Sequence, residues 1–236
     1  MAILGGEFAL ILLFSGQDAA VQAVHESQSR LWENVLGRSR EFWHFYYPRL
    51  QEFFPAQLQE VSLETFYRAI NKVEPSYIRV EADEVTYNLH IFLRFELEQE
   101  LLEQRLRVED LPEAWNAKMA GYLGLTPPND ALGVLQDIHW SGGSMGYFPT
   151  YTLGNVMSLQ FYKQTLQDIP DLPQQFARGE FGALLDWFRE KIHRYGRKFT
   201  ANELLEQVTG TGQIDAGPYL AYIKRKFSEI YGLEGR

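Results

Sequence analysis

The stretch Val21-Gln22-Ala23-Val24-His25-Glu26-Ser27-Gln28-Ser29-Arg30-Leu31-Trp32-Glu33-Asn34-Val35 decides the fold class. Val21, Val24, Leu31 and Val35, continued by Phe42 and Phe45, recur at three-, four- and seven-residue intervals. That spacing predicts a helix from about Asp18 to Tyr47, with Pro48 and Pro55 ending the run. The same stretch holds His25 and Glu26. Neighbours on a helix point about 100° apart, so the two cannot easily ligate one metal together. One can ligate while the other meets a substrate. Taken alone, a His and a Glu on a helix are usually surface or capping residues.

Working outward, helical patterning dominates. Ser62 starts a short helix through Ile70. Asp83 caps a longer one running to about Gln104, with Val85, Leu89, Phe92, Leu93 and Leu97 on its face. Asp110-Leu111-Pro112-Glu113 opens another, with proline in the first turn, ending near Gly121–Gly124. Helices follow from about Thr150 to Asp168 and from Phe181 to Tyr195, the latter stopped by Gly196. Thr200 with Glu203 forms a capping box, and Gly217-Pro218 starts the last helix. Pro75-Ser76-Tyr77-Ile78-Arg79-Val80-Glu81 differs: its alternation reads as a short strand or extended segment. The fold class is mainly α with that one extended stretch, and no repeat, linker or domain boundary is visible.

The bulk numbers narrow the function. At 236 residues, 45% hydrophobic and 22% charged, the chain has the composition of a globular protein with a sizeable core. A net charge of −9 disfavours nucleic acid or an anionic membrane as partner. No stretch is long enough to span a bilayer. The absence of cysteine excludes disulfides, thiolate metal sites and a cysteine nucleophile, and fits a reducing cytoplasm. Phe8–Phe14 is apolar but lacks the basic flank of a signal peptide, so it reads as a buried segment or a cut edge of something larger. Of the 236 residues, 14% are aromatic, 13 of them tyrosine, which suggests a cleft walled by rings.

Two further stretches carry chemistry. Arg79, on an extended segment between helices, could clamp a carboxylate bidentately or pair with Glu81 or Asp83. Gly133–Thr150 is rich in Gly, His, Trp and Tyr, with a Ser141-Gly142-Gly143-Ser144 turn, and reads as an active-site loop. In it Asp137 is close enough to fix the His139 imidazole. His139 with Tyr147 and Tyr151 would supply donors to an oxyanion. His44, His90 and His193 look like ordinary structural histidines. No phosphate loop or G-x-S-x-G elbow is present.

Together these stretches resemble the carboxypeptidase Taq family of thermostable zinc metallocarboxypeptidases. The matching motifs are His25-Glu26-Ser27-Gln28, Ile78-Arg79-x-x-Ala82-Asp83 and Gly133-x-x-Gln136-Asp137-x-His139-Trp140, with Gly146–Tyr151 as a flank. The resemblance runs from about Val21 to the C-terminus and leaves residues 1–20 as an atypical leader. It implies a helical fold with a deep groove, zinc held by two histidines and a glutamate, and release of C-terminal amino acids from peptides, often by a homodimer. Glu26 matches the third zinc ligand and Arg79 a residue that binds the substrate's terminal carboxylate. His139, with Tyr151 or Tyr147, matches groups near the reacting carbonyl, and His25 a substrate-side position beside the ligand.

The departure from the family pattern is the missing H-E-x-x-H helix, which supplies two ligands and the general base. His25-Glu26 is followed by Ser29 where the second histidine would stand. Residues 21–236 therefore read as the C-terminal part of the catalytic domain, inactive alone because catalytic zinc requires three protein ligands and a water. Two other readings stay open: a non-catalytic protein that binds peptide carboxylates, and a half-enzyme completed by a separate chain. Helical faces shaped for a missing half would also expose apolar surface, so self-association is expected.

Overall fold

A computed structural model describes residues 17–233, with side chains from Gln22 onward. The Phe8–Phe14 segment lies outside the described residues. In chain order the helices are α1 (Gln17–Arg30), α2 (Arg40–Phe53), α3 (Pro55–Leu58), α4 (Leu63–Ile70), α5 (Tyr87–Leu102), α6 (Leu111–Leu123), α7 (Pro149–Asp168), α8 (Leu172–Phe176), α9 (Gly182–Lys191), α10 (Ala201–Thr209) and α11 (Gly217–Tyr231). The fold is mainly helical, and among the described residues there is no strand. The expected strand at 75–81 is instead an extended connector ending in a 3₁₀ turn, Arg79–Glu81. The chain groups into two compact units, one of Val73–Leu153 with residues 17–19, the other of Ala20–Lys72 and Gly154–Arg236. Each unit draws on separate stretches of chain, and for that reason no boundary shows in the sequence.

In the first unit α5 and α6 build the core. Leu93 and Leu97 of α5 meet Trp115, Met119 and Leu123 of α6, with Val134 from the following loop. The four-residue spacing places each set on one helical face. Asp83 holds the turn that leads into α5, its Oδ1 accepting from the Val85 and Thr86 amides at 2.8 and 2.9 Å, while the N-cap residue itself is Thr86, without a side-chain cap. Pro112 sits in the first turn of α6, and Gly124, at φ +70°, ends it in the left-handed conformation. Unlike the amphipathic helix expected, α5 is buried on nearly every side, from Tyr87 to Glu98. Such a helix must satisfy any polar side chain internally, and the consequences appear in the site below.

In the second unit α1 runs into a π-helical turn, Leu31–Leu36. The Gly37 amide closes that turn on the Trp32 carbonyl at 2.9 Å, five residues back. A Cβ at Gly37 would stand 2.8 Å from the Glu33 carbonyl oxygen, so the turn requires glycine. The single helix expected over 18–47 is therefore broken there. Pro48, expected to end a helix, lies inside α2. An internal proline costs about 3 kcal/mol, but tertiary contacts oppose it. Tyr47 Oη donates to the Val61 carbonyl at 2.8 Å, and Gln51 Nε2 to that of Leu58 at 2.9 Å. Phe42 packs on Trp43, Tyr46 and Phe181. Ser62 caps α4 through the Thr65 amide, and the capping box on α10 is present as expected.

Candidate active site

The first unit brings Arg79, Asp137, His139, Tyr147 and Tyr151 together. Arg79 is 4% exposed although it sits on a connector. Its backbone is fixed by Gln136, whose Oε1 accepts from the Arg79 amide at 2.9 Å while its Nε2 donates to the Tyr77 carbonyl at 2.9 Å. The guanidinium pairs with neither Glu81 nor Asp83. Asp137 takes its Nε and Nη2 edge at 3.2 and 2.6 Å, and Nη1 donates to Tyr87 Oη at 2.9 Å. These bonds use three of the five N–H donors of the side chain. The Tyr151 ring lies 4.7 Å from its Cζ.

Asp137 serves a second cation. Arg94 of α5, fully buried, donates from Nε to Asp137 Oδ2 at 2.8 Å and from Nη1 to the His90 carbonyl at 2.7 Å. Its Cζ lies 4.5 Å from the Trp115 ring. One carboxylate thus faces two buried guanidinium groups, which leaves a surplus of one positive charge in an aromatic setting. The electrostatics follow. Burial works against the charge on Arg79, but its bonds to Asp137 outweigh that and hold its pKa above the ordinary value. Burial pushes Arg94 down to about 10, which keeps it charged at neutral pH. For Asp137 burial favours the neutral form, yet the hydrogen bond and charge of Arg79 and the charge of Arg94 hold it below its usual range.

His139 is not fixed by Asp137 as expected. Its Nδ1 stands 3.8 Å from Asp137 Oδ1 and has no hydrogen-bond partner, because the carboxylate is taken by the two arginines. Nε2 instead meets Tyr151 Oη at 3.1 Å. The ring packs against Phe148 and Tyr147 with centroids 4.5 and 5.4 Å apart. Burial, then the two guanidinium groups, lower its pKa despite Asp137, so the imidazole is neutral at pH 7. A neutral imidazole and a phenol, half-buried in front of a cationic pair, are suited to hold a carboxylate or a polarised carbonyl.

Sequence reasoning missed Arg94, His90 and Glu98. All three are buried and lie four residues apart along one face of α5. Ionisable residues at i, i+4 and i+8, on the face that also carries the helix's apolar neighbours rather than with Glu96 and Glu100, were the available signal. Burial pushes His90 down to about 3, and neither ring nitrogen has a hydrogen-bond partner.

Glu26 and His25 belong to the second unit. Glu26 accepts from Ser29 Oγ at 3.2 Å, and its backbone lies hard against α7: a Cβ at Gly154 would stand 2.5 Å from Glu26 Cβ. His25 is exposed and lines a cavity of about 360 Å³ with Gln28, His193, Arg197, Phe199 and Leu204. Among the described residues no group of three or more His, Asp or Glu is placed to hold a metal ion. The described side chains therefore do not by themselves fit the three-ligand requirement of catalytic zinc.

The first unit thus sets an Arg79–Asp137–Arg94 cluster beside a His139–Tyr151 pair. The comparisons give the class: the chain belongs to the carboxypeptidase Taq (M32) metallopeptidase family, whose model matches residues 13–227. Thermostable carboxypeptidase 1 of Thermus thermophilus is 53% identical over 215 residues, covering 91% of this chain and 42% of that protein. Carboxypeptidase 1 of Bacillus subtilis is 43% identical, covering 91% and 42%. The crystal structure of the M32 carboxypeptidase from Deinococcus radiodurans R1 superposes with a TM-score of 0.86 at 50% identity, covering 89% of this chain and 42% of that one. The chain thus spans less than half the length of these relatives. No described helix is long and apolar enough to cross a membrane.

Proposed function

We propose that this chain carries the part of a zinc metallocarboxypeptidase site that recognises the C-terminal end of a peptide. The supporting observation is the surplus positive charge of Arg79 and Arg94 over Asp137, set behind His139 and Tyr151. In this reading Arg79 supplies the field, and its two remaining N–H donors, for the terminal carboxylate. His139 and Tyr151 hold the neighbouring carbonyl, Tyr147 packs on the peptide, and His25 meets the substrate beside Glu26. Glu26 would supply one ligand toward a zinc ion whose other ligands the described residues do not provide. The absence of cysteine supports a cytoplasmic setting. Titration with a short free-acid peptide, followed on the His139 imidazole resonance, tests the reading. A saturable shift is expected, and an unmoved His139 at millimolar peptide contradicts it.

Among the described residues no three donors cluster, and that supports a second statement. The 236 residues by themselves neither retain zinc after dialysis nor release C-terminal amino acids, and act as a binding protein for peptide carboxylates unless a chain with H-E-x-x-H completes them. Metal analysis with a C-terminal release assay checks this. Stoichiometric zinc or chelator-sensitive turnover contradicts it.

A further inference from the structure

Glu98 ends the polar stripe of α5 and is 2% exposed. Its Oε1 accepts from the Trp140 indole at 2.7 Å, while its Oε2 is buried with no hydrogen-bond partner. Trp140 follows His139 in the loop and stacks edge-on against Phe148 and Trp115, with centroids 5.7 and 6.0 Å apart. The indole bond is thus a tether from the buried helix to the loop that carries Asp137 and His139.

We propose that Glu98 is a positioning residue whose protonation sets the net charge behind the His139–Tyr151 pair and the anchorage of the Asp137–Tyr147 loop. Protonated, it leaves the Arg79–Asp137–Arg94 cluster its surplus positive charge. Ionised, it cancels that surplus and strengthens the bond from Trp140, since a charged acceptor binds an N–H more tightly. The surroundings place the change near neutrality. Burial pushes Glu98 up to about 7, against the pull of the Trp140 indole, the Gly146 amide and the Arg94 charge. The charged groups around it are Arg94 on its own helix and, beyond it, Asp137 and Arg79. On α6, Lys118 is held by Glu96 and Glu100 at 2.6 and 3.1 Å. His90, pushed down to about 3 by burial, stays neutral across this range, and burial holds the His139 imidazole below its ordinary value.

The consequence for binding rests on the function proposed above: affinity for a free-acid peptide falls as pH rises through about 7. The drop is on the order of tenfold, as one charge within ~10 Å at an effective dielectric of 20 produces. The test is a pH series of nitrogen–proton NMR spectra of the indole groups, in which Trp140 is assigned by its loss in Trp140→Phe. In the wild type the Trp140 resonance moves with a midpoint near pH 7, and in Glu98→Gln it does not move. A Trp140 resonance that is static from pH 5 to 9, or that titrates equally in Glu98→Gln, overturns the proposal. Should Glu98→Gln fail to fold, Glu98→Asp shifts or abolishes the midpoint, and an unchanged midpoint overturns it. A moving indole without peptide binding at any pH leaves Glu98's role standing and sinks the peptide reading instead.

Discussion

Replacing Asp137 with asparagine removes the one carboxylate shared by two buried arginines. Arg79 is 4% exposed and Arg94 not at all, so neither guanidinium can recover its lost partner from water without opening the unit. Breaking a buried pair costs about 3–5 kcal/mol because a charge is left uncompensated, and here two like charges remain. Asp137→Asn should therefore lower unfolding free energy at pH 7 by about 3–5 kcal/mol in urea titrations followed by circular dichroism. The sign with pH is fixed by the lowered Asp137 pKa. Its contribution is present above the unfolded carboxylate value of about 3.9 and lost as pH falls through the folded value, so the gap between wild type and variant closes in acid. Adding Arg94→Met removes one of the two like charges and should recover part of the loss. A cost under about 1 kcal/mol at pH 7, or a gap that persists at the acid end, refutes the shared-carboxylate account.

Other consequences follow from named contacts. Gly154→Ala puts a Cβ 2.5 Å from that of Glu26 and should cost about 1–3 kcal/mol by overpacking, read as a fall in thermal midpoint. The raised Glu98 pKa stabilises the fold below the unfolded value and is lost as pH rises through about 7. From a starting value of 4.5, that shift corresponds to about 3 kcal/mol, so Glu98→Gln should gain stability relative to wild type between pH 5 and 8 in chemical denaturation. Phe53 and Phe54 are 67% and 52% exposed at the end of α2. Light scattering at micromolar concentration should show self-association that Phe53→Ser with Phe54→Ser reduces.

Much of the fold was legible because helix ends carry local chemistry. Ser62, the Thr200–Glu203 box, Pro112 and Gly124 act within a turn of their own position, and the sequence displays them directly. What escaped depends on distant partners. Pro48 stays helical because Val61 and Leu58 hold its neighbours. The 75–81 stretch alternates like a strand but meets no other strand among the described residues. Its alternation instead sends Tyr77 to the core and Arg79 into the cluster. His139 looked like the natural partner of Asp137, two residues away. The real partners, Arg79 and Arg94, are 58 and 43 residues distant, and only folding could reveal that competition. Glu26 remains legible as a metal ligand through resemblance alone, since its own contacts are to Ser29 and the close approach of α7.

The account turns on Arg79 and its surplus charge. The most direct measurement is calorimetric titration of one short peptide as free acid and as C-terminal amide, against the wild type and Arg79→Ala side by side. A charge-assisted hydrogen bond contributes about 1.5–3 kcal/mol. The wild type should therefore favour the acid over the amide by about ten- to a hundredfold, and Arg79→Ala should lose that preference. Equal binding of acid and amide by the wild type, or an undiminished preference in Arg79→Ala, would contradict it.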